Sequence, residues 1–150
     1  MTTTPLDFWQ KEVLAYEGDL LLCTGRRVGK TYILARKAVE LMAKSKKCPI
    51  VMVSLTEDQA MIIISMALNY TKESCPRLIG KGKDKPTLKT LHINGNKMIV
   101  RPVGSTGDGA RGFEGGVLIV DEASRMPPMF WIAAKPLILT TNGQIWMCST

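Results

Sequence analysis

Thr24-Gly25-Arg26-Arg27-Val28-Gly29-Lys30-Thr31 stands between two stretches of opposite character. Before it, Leu20–Cys23 is an apolar run too short for a helix, and it reads as a buried strand. After it, Thr31–Ala43 carries Ile33, Leu34, Ala38, Leu41 and Met42 at three- and four-residue spacing, which predicts a helix. A strand, a glycine-bearing turn and a helix in that order make a cradle for phosphate. Backbone N–H groups converge in the turn, and the helix N-terminus adds its positive end. Gly29 lets the backbone turn tightly and come close to the phosphates. Lys30 then reaches the β- and γ-phosphates, and the Thr31 hydroxyl ligates Mg²⁺. The usual pattern has a glycine five positions before Gly29, where this chain has Thr24, with Gly25 next door. The candidate nucleotide contacts are therefore Thr24, Gly25, Arg26, Arg27, Val28, Gly29, Lys30 and Thr31.

The complementary half lies ninety residues on. Val117-Leu118-Ile119-Val120-Asp121-Glu122 is an apolar strand that ends in two acids. An acid at the carboxyl end of such a strand lands beside the phosphate loop. Asp121 would hold Mg²⁺ directly or through water, with phosphate oxygens and water filling the other positions. Glu122 is placed to orient and activate an attacking water as a general base. Acids at a helix start are common for dipole reasons alone, which accounts for one acid but not for both halves in order. A base beside the γ-phosphate suits hydrolysis better than transfer to a small molecule, which must keep water out. ATP and Mg²⁺ are thus the expected ligands.

Around these two motifs the chain alternates. Asp7–Glu17 reads as a helix stopped by Gly18. Ile50–Leu55 reads as a strand, followed by Thr56 as a helix N-cap with Gln59 completing a capping box. That helix extends to about Tyr70. Lys72–Lys89, with Pro76, Gly80, Gly82 and Pro86, is an excursion with room for one short helix. Leu91–Ile93 and Lys97–Arg101 flank Asn94-Gly95-Asn96 as a hairpin. Val103–Phe113 holds four glycines and reads as a loop. A short helix over Met129–Ala134 and a last strand over Gln144–Cys148 complete the pattern. The expectation is an α/β three-layer sandwich around a mostly parallel sheet.

Composition narrows the class without deciding it. With 45% apolar and 22% charged residues over 150 positions, the chain suits one folded domain. No apolar run approaches the roughly 18 residues of a membrane span, and the polar N-terminus is unlike a signal peptide. An intracellular protein with no membrane partner is expected. Cys23, Cys48 and Cys148 lie in or beside apolar stretches and read as small buried hydrophobes. The net charge of +7 favours a polyanionic partner, with Lys44, Lys46 and Lys47 in one cluster and Lys81, Lys83, Lys85 and Lys89 in another. A run of charge is as often a solvated loop. Phe130 and Trp131 read as core packing, and His92 has no partner histidine that would give it a catalytic role.

Five stretches, in order, resemble the large terminase subunit, the DNA-packaging motor ATPase of tailed viruses. Leu6-Asp7-Phe8-Trp9-Gln10 is similar to the family's adenine-recognising segment, with Gln10 as the base reader. Thr24–Thr31 is similar to the family's phosphate loop, which often lacks the first glycine and has an arginine where Arg26 stands. Thr56-Glu57-Asp58-Gln59-Ala60 follows the second strand as in that family. Asn94-Gly95 and then Ala110-Arg111-Gly112 resemble the run-up to its acidic pair. Pro136, Gly143-Gln144-Ile145 and Cys148-Ser149-Thr150 resemble its coupling motif.

The resemblance implies a P-loop NTPase fold of the ASCE, RecA-like kind. It implies Arg26 acting in cis on the γ-phosphate, with Arg27 as a rival. It further implies Arg111 as a sensor or trans contact, and Ser149 and Thr150 sensing the γ-phosphate. Double-stranded DNA, a portal protein and a small terminase subunit would be partners of a working ring of copies in the infected host's cytoplasm. The family's nuclease domain has no counterpart here, so residues 1–150 are expected to be the N-terminal ATPase part of a longer motor. Helicase-like DNA-dependent ATPases share the upstream glutamine, the loop and the acidic pair, although Ala123-Ser124 follows the acids here. A nucleotide-binding module without turnover is the remaining alternative.

Overall fold

The computed structural model describes residues 5–25, 29–45, 47–103 and 115–149. Four helices, α1 (Phe8–Ala15), α2 (Lys30–Lys44), α3 (Glu57–Ser74) and α4 (Pro128–Thr141), pack on six strands. The strands are β1 (Leu20–Cys23), β2 (Ile50–Ser54), β3 (Thr90–Ile93), β4 (Asn96–Pro102), β5 (Val117–Val120) and β6 (Gln144–Ser149). They form one sheet in the order β1-β6-β5-β2-β4-β3, parallel throughout except for the antiparallel β3–β4 pair. This is the expected α/β architecture.

Side-chain alternation divides the core into two halves. Ile50, Met52, Ile119, Trp146 and Cys148 face one way and pack under α1, α2 and α3. Val51, Val53, Leu118 and Val120 face the other way and pack on Phe130 and Ala134 of α4. Phe130 is fully buried and meets Trp131 edge-on at 5.0 Å, so the aromatic pair packs as expected. Both faces of β2 and β5 are therefore covered, which explains their unbroken apolar runs.

Four features differ from the sequence expectation. β1 is not the buried strand expected but the sheet's edge, where Leu21 is 60% exposed and Cys23 lies exposed. Four apolar residues cannot reveal where a strand falls in the sheet order, and β6 covers only one side of β1. α4 runs to Thr141, well past Ala134 and through Pro136. Pro136 lies on the exposed side, where the carbonyl its missing N–H leaves free can reach water, and Thr140 and Thr141 hydroxyls bond back to Pro136 and Leu137. The capping box at α3 is half made: Thr56 Oγ1 accepts from the Gln59 N–H at 3.2 Å, while Gln59 Oε1 is buried without a partner. The excursion before β3 holds two single 3₁₀ turns, Pro76–Leu78 and Gly82–Asp84, rather than one helix. Among the described residues no helix is long and apolar enough to cross a membrane.

The Asn94-Gly95 turn has both residues at positive φ, as a tight hairpin requires. Its asparagines do more than turn the chain. Asn96 Nδ2 donates to Met42 O at 2.9 Å and Ser45 O at 2.7 Å, and its Oδ1 accepts from the Cys48 N–H at 2.8 Å. Asn94 Nδ2 reaches Ala43 O at 3.3 Å. Carbonyls at a helix C-terminus have no partners within the helix, and here the hairpin supplies them to α2. Replacing Asn96, which is 4% exposed, with alanine is expected to destabilise the fold by about 2 kcal/mol, measured as a lowered urea midpoint at unchanged slope.

Candidate active site

The carboxyl ends of β1, β6 and β5 lie side by side, and each delivers polar residues to the same place. β1 leads into Thr24 and Gly25. α2 then begins at Lys30 from Gly29, which has a φ of 84°. A side chain there would be strained, and its Cβ would stand 3.3 Å from Gln10 Nε2. Lys30 is only 7% exposed, and its ammonium donates to Thr24 O at 3.1 Å and Gly25 O at 3.0 Å. Its charge is thus held over the turn by the turn's own carbonyls.

Thr31 opens the helix on the sheet side, and its hydroxyl donates to Asp121 Oδ1 at 3.1 Å. Asp121 follows β5, is 6% exposed, and donates its N–H to Val53 O at 2.9 Å. The same Oδ1 also accepts from the Cys148 thiol at 3.1 Å. Val120 pairs with Met147, so one step further along the two parallel strands Asp121 and Cys148 stand level. Burial raises the Cys148 pKa, and the Asp121 carboxylate adds to the shift, so this group stays a thiol and acts as a donor.

Glu122, half-buried, takes a left-handed conformation, φ 53° and ψ 50°, uncommon for a residue with a side chain. The chain turns there into the 3₁₀ turn Ala123–Arg125. Ser149 closes the arrangement from β6. Its hydroxyl donates to Ser124 Oγ at 2.5 Å, and its carbonyl accepts from the Thr24 N–H at 3.4 Å. Ser149 thus touches both the start of the loop and the turn behind the acids.

Gln10 reaches this place because α1 is tied down from behind. The buried ammonium of Lys37 donates to Leu14 O and Tyr16 O at the end of α1 and lies 5.1 Å from the Trp146 ring. Burial lowers the Lys37 pKa, and Glu40 and Glu17 oppose that shift. Trp146 Nε1 donates to Gly18 O at 3.2 Å, and the Ile145 N–H to Asp19 Oδ1 at 3.0 Å. Gln10 Oε1 itself accepts from the Asp7 N–H at 2.9 Å, leaving its NH₂ group on the side of Gly29.

Thr24, Gly25, Gly29, Lys30, Thr31, Asp121, Glu122, Ser149 and Gln10 therefore gather at one end of the sheet. Arg26, Arg27, Val28, Arg111 and Thr150 lie outside the described residues. A hydroxyl and a carboxylate side by side are the hard oxygen donors that Mg²⁺ takes. Among the described residues no cluster of three His, Cys, Asp or Glu side chains forms a metal cage, so such an ion would depend on phosphate oxygens and water for its remaining positions.

A strand, a glycine turn, a lysine at the helix start and an acid on a neighbouring parallel strand define a P-loop NTPase fold. Within that class residues 21–129 match the family "Terminase large subunit, T4likevirus-type, N-terminal", and the chain belongs to that family. No curated protein sequence matches it. Among solved structures it is similar to the large terminase ATPase domain of Thermus phage P74-26, with a TM-score of 0.72 and 20% identity over 98% of this chain and 65% of that one. It is also similar to the large terminase of another thermophilic bacteriophage, in complex with ADP, with a TM-score of 0.72 and 18% identity over 96% of this chain and 39% of that one. A third likeness is to the HK97 bacteriophage large terminase, with a TM-score of 0.73 and 17% identity over 98% of this chain and 33% of that one. These likenesses establish a common fold, and this chain spans less than two thirds of the length of each of the three.

Sequence reasoning did not find the bonds that Cys148, Ser124 and Lys37 make here. Cys148 reads as an apolar strand residue, and only the register of β6 on β5 brings its thiol to Asp121. Two outcomes follow. Cys148→Val is expected to weaken binding of a fluorescent ADP analogue in the presence of Mg²⁺ by about 5- to 10-fold, as loss of one hydrogen bond from a weak thiol donor, about 1 kcal/mol, implies, with Cys148→Ser retaining affinity. In maleimide labelling of the folded protein, exposed Cys23 is expected to react first and Cys148 only after denaturation.

Proposed function

We propose that this chain hydrolyses Mg·ATP to drive double-stranded DNA into a viral capsid, as the N-terminal ATPase part of a longer motor. The observation that carries the reading is the 3.1 Å bond from Thr31 to Asp121, which joins two motifs ninety residues apart at one point. The family supports the packaging role. The chemistry of the gathered residues supports hydrolysis.

Each residue has a part in that reading. The N–H groups at the start of α2 and the Lys30 ammonium hold the phosphates, whose charged oxygens outcompete the two carbonyls Lys30 now bonds. Thr31 and Asp121 offer one hydroxyl and one carboxylate to Mg²⁺, which when bound neutralises charge on the phosphate oxygens. Glu122 orients the attacking water and takes its proton. Arg26 stabilises charge on the γ-phosphate in cis, with Arg27 as its rival and Arg111 as sensor or trans contact. The Gln10 amide reads the adenine edge, consistent with its place over Gly29.

Ser149 and Thr150 sense the γ-phosphate; the bonds from Ser149 to Ser124 and Thr24 support a link between loop and acids. A portal protein, a small terminase subunit and further copies in a ring are the remaining partners, in the cytoplasm of the infected host.

The test is phosphate release from Mg·ATP with and without double-stranded DNA. Turnover stimulated by DNA, and reduced at least about 100-fold in both Lys30→Ala and Glu122→Gln, is the expected result. Tight nucleotide binding without turnover, unchanged in Glu122→Gln, would instead make the chain a binding module.

A further inference from the structure

The net charge of this protein is concentrated in one part of it. Between Lys72 and Arg101 fall eight of the chain's twenty Lys and Arg residues but only two of its thirteen acids, so this stretch carries nearly all of the net +7. Lys72 and Glu73 belong to the last turn of α3, and the fold places the rest of the stretch at one margin of the sheet, on the excursion, β3 and β4.

The excursion is not a loose basic loop. It lies along the outer edge of β3, with the Gly80 N–H donating to His92 O at 2.9 Å, Asn94 N–H to Leu78 O at 2.9 Å, and Thr87 N–H to Thr90 O at 2.9 Å. At Gly80 two turns touch: a Cβ there would stand 2.3 Å from Asp84 O and 2.9 Å from His92 Cβ. The backbone beneath the lysines is therefore held in place. Asp84 stands 3.9 Å from His92, and Lys89 is paired with Glu57, so each of these two charges already has a neighbour within the fold. Arg77, Lys81, Lys83 and Lys85 stay exposed on the excursion, and Lys97, alternating with buried Met98, projects from the face opposite the α1–α3 layer.

We infer that this margin is a docking surface for the phosphate backbone of double-stranded nucleic acid. Its chemistry selects among polyanions. Lysines are compact point charges that neutralise phosphates without reading bases. A single-strand platform stacks bases on aromatic rings, and no Phe, Tyr or Trp occurs between Lys72 and Arg101. A protein interface would carry buried aromatic or arginine anchors, whereas here the only large exposed apolar side chain is Leu88. That the polyanion is duplex DNA in particular rests on the packaging reading.

The experiment is a titration of a labelled DNA duplex with the full chain, followed by fluorescence anisotropy at several salt concentrations, beside Lys81→Glu/Lys83→Glu/Lys85→Glu and the milder triple glutamine variant. The expected result is at least about a 10-fold loss of affinity in the glutamate variant. In the glutamine variant the logarithmic salt slope is expected to flatten by about 3, roughly one unit per phosphate contact removed. DNA-independent phosphate release should be unchanged in both. Duplex binding by the variants with wild-type affinity and slope overturns the surface and leaves the packaging reading standing. Wild-type chain that hydrolyses ATP yet binds no duplex overturns both, as does tighter capture of polyglutamate than of DNA.

Discussion

The Asp121 carboxylate is nearly out of reach of water at the end of an apolar strand, and a buried charge persists only where donors meet it. Two do so on a single oxygen: the Thr31 hydroxyl from the helix behind the loop and the Cys148 thiol from the neighbouring strand. That requirement constrains the architecture. β6 must lie beside β5 for its thiol to stand level with the acid, and α2 must start where its first turn meets the end of β5. Strand order, helix placement and the gathering of the site are three views of one arrangement. Position along the chain has little to do with it, since the three residues come from opposite halves of the sequence.

The parts legible in the sequence are those whose chemistry is local. Gly29-Lys30-Thr31 between a strand and a helix, the acid after four apolar residues, and Asn94-Gly95 between two short runs each carry their structural reason within a few positions. What escapes such reading depends on sheet order or on surface context. Leu20–Cys23 is as apolar as any core strand, yet half of it meets solvent because β1 is an edge. Pro136 sits in a helix because the carbonyl it leaves unbonded faces water. Cys148 has the look of core filling, and register alone makes it a donor to the acid.

The same division holds within the site. The residues that would touch nucleotide lie in short motifs and could be named from them. Those that hold these residues in position lie elsewhere: Lys37 and Trp146 fasten the end of α1, and Ser124 meets Ser149. Such supporting bonds join segments more than twenty residues apart and leave no periodicity or spacing to read. A lysine on a helix face or a tryptophan in a strand has many ordinary explanations. Only the packed structure selects one.

The asparagine clasp at the far end of α2 has a mechanical side. The helix is fifteen residues long, a strut of about 22 Å at the usual rise. One end begins at Lys30; the carbonyls of the other are gripped by Asn94 and Asn96 from the hairpin at the opposite margin of the sheet. Tension or shear applied to that hairpin is delivered along the strut to the first turn of α2, at Lys30 and Thr31. Strain set up where phosphate is held returns by the same route, so the two margins of the sheet are joined by a stiff member and not by the sheet alone.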